Sequence, residues 1–230
     1  MTNQQLAITM FKNLLNLFLQ NNCPICQRST KQQLCQYCNK QLQSCHLQNP
    51  NVLWKEPLPV FSWGSYGGTL KRAIAVMKYE NQPEMGRLLG QYLGESWILN
   101  CTLKNQKPVI VPIPLHPKKL KERGFNQAEI IAQGFCQITG LKLKSNGLAR
   151  VKDTKAQFSV SGAEREQNLA DAFALGSDFS RIRPDVPVLL VDDIYTTGAT
   201  VKSAVYTLNQ GHISVLGVAA VATTGKDRSA

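Results

Sequence analysis

Val188-Leu-Leu-Val-Asp-Asp-Ile-Tyr-Thr-Thr-Gly-Ala-Thr200 decides how the rest of the chain is read. The four apolar residues after Pro187 are too few for a helix and β-branched at both ends, so Val188 to Val191 predict a short buried strand. Asp192 and Asp193 follow, where that strand is expected to leave its sheet. Thr196, Thr197, Gly198, Ala199 and Thr200 then supply a tight turn with hydroxyls. Val201, Ala204, Val205 and Leu208 recur at helical spacing, with a stop at Gly211. Strand, acidic pair, small-residue loop and helix place a phosphate site at a helix N-terminus, where unpaired backbone N–H groups face outward. The two carboxylates need a partner other than the phosphate, because like charges repel. A ribose carrying that phosphate fits, since Asp192 and Asp193 can accept hydrogen bonds from its hydroxyls.

This combination resembles the signature of type I phosphoribosyltransferases, which bind phosphoribosyl pyrophosphate (PRPP). The resemblance implies that Thr196 to Thr200 hold the 5′-phosphate, largely through main-chain N–H groups, while Asp192 and Asp193 are the catalytic pair that positions the ribose. A phospho-acceptor receiver domain also opens on a similar strand and acidic pair, but too little chain follows here. A Walker A loop is excluded, because no G-x-x-x-x-G-K-[ST] occurs. A strand–turn–helix without a ligand is the remaining plain reading.

The 230 residues allow one substantial α/β domain with a small appendage, and 43% apolar content is enough for a packed core. The formal charge is +11 and is unevenly spread. Residues 104–165 hold 12 Lys and Arg against 4 Asp and Glu, whereas residues 166–230 hold 5 against 7. The basic excess thus precedes the acidic motif, as if the opposite wall of a cleft had to meet pyrophosphate or nucleic acid. A solvated basic surface is the alternative.

Cys23-Pro-Ile-Cys26 and Cys35-Gln-Tyr-Cys38 form two C-x2-C knuckles separated by eight residues. Four thiolates at that spacing predict a closed tetrahedral site of the zinc-ribbon type, a structural Zn²⁺ rather than a catalytic one. In a reducing cytosol, metal is favoured over disulfides. The polar residues from Gln27 to Gln33 cannot form a core, so the ion would hold the segment together. Cys45 and His46 rank below the four as spare ligands, and Cys101 and Cys136 read as small packed residues. No window reaches 18 apolar residues, so no integral membrane span is expected. Leu6 to Leu19 is interrupted by Lys12, Asn13 and Asn16 and makes a poor signal peptide. It reads as an amphipathic helix, packed or touching a membrane. The expected location is cytoplasmic, with membrane proximity left open. The expected domains are residues 1–50, holding that helix and the zinc module, and residues 51–230.

Further on, Val60 to Tyr66 alternates like a strand. Leu70, Ile74 and Met77 lead a helix to Lys78-Tyr79, and Met85 to Ile98 makes another. Val109-Ile-Val111 predicts a buried strand, which Pro112 and Pro114 stop. A stiff loop carrying His116, Lys118, Lys119, Lys121 and Arg123 follows, before a helix with Phe125, Ala128, Ile131, Ala132 and Phe135 inside. A rigid basic loop there suits the pyrophosphate half of PRPP. Val215 to Val221 closes the sheet.

Pro-Ile-Pro-Leu-His116, Lys-Glu-Arg-Gly-Phe-Asn-Gln-Ala128, the run from Gln157 to Phe173 and the four-cysteine module together resemble the ComF-like competence proteins, in order and over nearly the whole chain. The resemblance implies a type I phosphoribosyltransferase-like parallel sheet flanked by helices, beside a zinc ribbon. It also implies a part in the uptake and handling of single-stranded DNA during natural transformation, with DNA-processing proteins as partners. Lys152 departs from the Arg common in the family, which keeps the charge but loses a planar fork. By likeness to phosphoribosyltransferases, the 148–157 stretch is a mobile lid, and Arg150, Lys152 and Arg165 join Lys118, Lys119 and Arg123 on the departing pyrophosphate. Mg²⁺ would ride on the ligand's oxygens. No nucleobase pocket or general base stands out. Two functions therefore stay open: a PRPP-binding protein of the competence pathway, and an active phosphoribosyltransferase of nucleotide metabolism or salvage, amidophosphoribosyltransferase-like.

Overall fold

The structure is a computed structural model, and it describes residues 21–101, 106–151, 172–181 and 183–225. The chain divides into two compact units, Met1–Ser44 and Cys45–Ala230. In the first, strands β1 (Asn21–Asn22) and β2 (Ser29–Thr30) pair antiparallel, and helix α1 (Gln36–Gln43) follows. Its buried apolar residues are only Cys23, Leu34, Cys38 and Leu42 among those described. The expected helix over residues 6–19 lies outside the described residues.

In the second unit, β3 (Val60–Ser65), β4 (Val109–Pro112), β7 (Val188–Tyr195) and β8 (Val215–Thr223) form a parallel sheet in the order β3-β8-β7-β4. Around it stand α2 (Gly68–Tyr79), α3 (Pro83–Asn100), α4 (Pro117–Arg123), α5 (Gln127–Thr139) and α6 (Ala199–Gln210). The α/β class with a parallel sheet and flanking helices is as the sequence predicted. Val188 to Val191 are fully buried, as a strand covered on both faces requires. The exposed edges of the sheet are blunted. Outside β3, Leu47 N donates to Trp63 O and Ser65 N to Cys45 O; outside β4, Ile110 N donates to Lys142 O and Lys144 N to Ile110 O.

Two expectations about local structure need correction. Strand β7 does not stop at Val191: it runs through both acids to Tyr195, because β8 continues beside it and pairs Asp192 with Ala220 and Tyr195 with Thr223. Only the β4 side ends at Val191, so the acids emerge on one flank alone. Residues 117–123 are a helix rather than a stiff loop. Pro117 sits in the first turn, His116 Nδ1 accepts from Lys118 N at 3.3 Å as the N-cap, and Gly124 ends it at φ 82.

Helices α3 and α5 approach so closely that glycines are needed. A Cβ at Gly90 would lie 2.1 Å from the carbonyl oxygen of Ile131, and one at Gly134 would lie 2.3 Å from that of Arg87. Both contacts are to backbone, which cannot swing away as a side chain would. Gly90→Ala is therefore expected to destabilise the protein by about 3 kcal/mol, the upper end of ordinary overpacking. Urea unfolding measures this, and a loss under about 0.5 kcal/mol would show that the helices separate freely.

Helix α2 begins just beyond the end of β3, yet its penultimate residue, Lys78, meets Asp193 near the end of β7, two strands away. Twelve residues of helix span about 18 Å and two strand spacings about 10 Å. The end of α2 thus reaches the carboxyl-terminal end of β7.

Candidate functional site

The site is assembled at the C-terminal end of β7. Successive side chains of a strand point to opposite faces. Val188 and Leu190 pack with Val201, Ala204 and Leu208 of α6, and Asp192 continues that face. Asp193 turns to the other face and forms an ion pair with Lys78 Nζ of α2. Both acids are buried, at 9% and 5% exposure. Asp192 Oδ1 accepts from Asp193 N at 2.8 Å, and Asp193 Oδ1 from Ile194 N at 2.9 Å. Burial first, then the negative charge of Asp193, raises the Asp192 carboxyl well above the usual range, with the Asp193 N–H and Lys78 opposing.

Asp192 and the run from Ile194 to Val201 line one cavity of about 50 Å³, open to solvent. At roughly 10–15 Å³ for each water-sized centre, that holds about four such groups, comparable to the oxygens of a phosphate. All five residues of the expected phosphate loop, Thr196 to Thr200, are on its wall. Gly198 takes φ 74, and a Cβ there would lie 2.6 Å from the Tyr195 hydroxyl, so both conformation and space demand glycine. Helix α6 starts at Ala199, whose N–H donates to Thr197 Oγ1 at 3.4 Å, while the Gly198 N-cap has no side chain to offer the rest of the first turn. The structure thus joins Asp192 to the loop in one concavity and holds Asp193 beside it, on Lys78.

The basic residues are dispersed. Lys118 and Lys119 are exposed on α4. Arg123 is half-buried, donates to Gln127 Oε1, and lies 5.8 Å from the ring centre of Tyr79. Arg150 is not in a loop. It ends strand β5 (Leu148–Arg150), which pairs antiparallel with β6 (Phe173–Leu175), and its guanidinium lies 5.5 Å from the Phe173 ring. Lys152, Arg165 and the rest of the expected lid lie outside the described residues.

Lys78 escaped the sequence reading. A signal was present: Leu70, Ile74 and Lys78 continue one i, i+4 stripe, and a lysine on an apolar stripe announces a buried counter-ion.

In the first unit, the sulfurs of Cys23, Cys26, Cys35 and Cys38 all lie within 4.8 Å of one another, with Cys26 and Cys35 3.6 Å apart. Zn–S bonds of about 2.3 Å place tetrahedral ligands about 3.8 Å apart, so the cluster fits such an ion. Burial would raise the Cys23 thiol, but backbone N–H groups of Cys35, Cys26 and Ile25 outweigh it and bring it down to about 7. Burial and the neighbouring thiols push Cys38 up. Without a cation, four sulfurs so close cannot all ionise. None of the seven cysteines is in a disulfide. Cys45 and His46 are not in the cluster. His46 contacts Ser96 Oγ at 3.1 Å, and its imidazole is lowered by burial.

Competence protein F of Haemophilus influenzae is 31% identical over 198 residues, covering 81% of this chain and 84% of the relative. The chain belongs to the competence protein F family. A further relative, the DNA utilization protein YhgH of Salmonella typhimurium, is 28% identical over 78% of this chain and 80% of its own. No protein-family profile matches the chain. Among solved structures, the adenine phosphoribosyl transferase of Trypanosoma brucei, in complex with AMP, pyrophosphate and ribose-5-phosphate, aligns at a TM-score of 0.41 and 10% identity over 81% of this chain and 67% of that one. No helix among the described residues of this competence protein F relative is long and apolar enough to cross a membrane.

Proposed function

We propose that the cavity beside Asp192 binds the phosphoribosyl part of PRPP or a related sugar phosphate, and that the protein acts in natural transformation, where it handles incoming single-stranded DNA with other DNA-processing proteins. One observation carries the ligand reading: a buried carboxylate and a helix N-terminus with glycine at its N-cap share a single phosphate-sized cavity. The N–H groups of Thr196 to Thr200 take the 5′-phosphate, and the helix dipole favours its charge. Asp192 accepts a hydrogen bond from a ribose hydroxyl, and Asp193, fixed by Lys78, orients the end of β7. Lys118, Lys119 and Arg123, with Arg150, Lys152 and Arg165, are assigned to the pyrophosphate. Bound Mg²⁺ would supply neutralising charge there, mainly through ligand oxygens. Cys23, Cys26, Cys35 and Cys38 hold a structural Zn²⁺. The names of the relatives support the competence role.

Ribose 5-phosphate tests the cavity apart from any pyrophosphate contact. At 100 times its dissociation constant it should stabilise the wild type by about 2.7 kcal/mol, read as a rise in Tm. Asp192→Asn should show no rise. An equal rise in both proteins would overturn the assignment.

A further inference from the structure

We infer that Tyr79, its ring held by Arg123, and the lysines of α4 form a contact surface for single-stranded nucleic acid at the carboxyl edge of the sheet. The inference rests on the proposed handling of single-stranded DNA and assigns it a place. Tyr79 is 78% exposed, the largest exposure of any aromatic residue described as exposed. Among the described residues, the one ring contact recorded for Tyr79 is the Arg123 guanidinium, 5.8 Å from the ring centre. The guanidinium fixes the ring and leaves aromatic surface open to a further planar group.

Lys118, Lys119 and Lys121 stand exposed on α4, which ends in that same Arg123. None of the three is in an ion pair found among the described residues. The nearest acid in sequence, Glu122, cannot neutralise three cations. Lys78, next to Tyr79, meets Asp193, so this surface adjoins the acidic pair. An aromatic ring with an open face, a stacked Arg and, four residues before that Arg on the same side of α4, the exposed Lys119 are elements that bind a phosphate backbone with unstacked bases. A duplex hides its base faces and would leave Tyr79 unused. An acidic peptide would use the lysines but not the ring.

The test measures fluorescence anisotropy of a labelled oligothymidylate with the full-length, metal-loaded protein. Tyr79→Ala should weaken binding about tenfold, while Tyr79→Phe, which keeps the ring, should bind as the wild type does. Against an abasic strand of equal length, Tyr79→Ala should make no difference. Lys119→Ala should lower the slope of log affinity against log salt by about 0.7. Tyr79 lies outside the proposed sugar-phosphate site, so ribose 5-phosphate should still raise the Tm of Tyr79→Ala. Wild-type affinity in Tyr79→Ala would overturn the inference and leave the DNA reading standing. Equal sensitivity to Tyr79→Ala with duplex or abasic DNA would also overturn it. No binding of the strand by the wild type would remove the reading on which it rests.

Discussion

Asp192→Asn should unfold at a higher temperature than the wild type, and Asp193→Asn at a lower one, although the two residues are adjacent. Asp192 is a buried carboxyl that lines a polar cavity and lies beside a second carboxylate. An amide keeps the oxygen that accepts from Asp193 N and removes the charge. The expected gain is about 1 kcal/mol, in the range found when a binding site gives up function for stability. Asp193 instead neutralises Lys78, whose side chain is only 15% exposed. Asp193→Asn leaves that ammonium without its counter-ion, at a cost of about 3 kcal/mol.

The sign of the pH dependence follows from the raised Asp192 carboxyl. A group whose folded pKa exceeds the unfolded value of about 3.9 stabilises below that value and loses this contribution as pH rises through the folded one. The advantage of Asp192→Asn should thus be small in acid, where the wild-type carboxyl is protonated, and grow toward neutrality. Thermal unfolding across that range reads it. An advantage independent of pH would show that the cause is packing rather than charge.

Metal removal should have the largest effect of all. The first unit buries few apolar side chains, and the two C-x2-C knuckles are its main cross-link. Structural zinc contributes about 10–16 kcal/mol of apparent folding free energy in comparable small modules. A strong chelator should release about one Zn²⁺ per chain and open residues 21–44 to proteolysis. The second unit, with its own core, should keep its unfolding transition. Cys35→Ser should act like the chelator, since Cys35 also caps α1 through its sulfur, which accepts from Cys38 N at 3.5 Å. Metal-free protein with the same protease resistance would contradict this.

The sequence exposed what depends on local pattern. Val188 to Val191, Val109 to Val111 and, past the half-buried Val215 and Leu216, the run to Val221 are apolar and buried on both faces, and each is a strand of the parallel sheet. Thr196 to Gly198 bend as a small-residue loop must, and the cysteine spacing brings four sulfurs together. What stayed hidden depends on partners distant in sequence. Aspartates are poor strand formers, so the extension of β7 to Tyr195 is imposed by β8. The Lys78–Asp193 pair joins residues more than a hundred positions apart, and their opposite charge alone names neither partner. Pro117 with the charges after it looks like a loop until His116 is recognised as a cap. Gly90 is ordinary in a helix sequence until the Ile131 carbonyl is placed against it.

Calorimetric titration of the wild-type protein with PRPP and Mg²⁺ tests the central claim most directly. One site per chain is predicted, with heat that vanishes in Asp192→Asn while that variant remains folded. Absence of heat in the wild type, or undiminished binding in Asp192→Asn, would contradict the account.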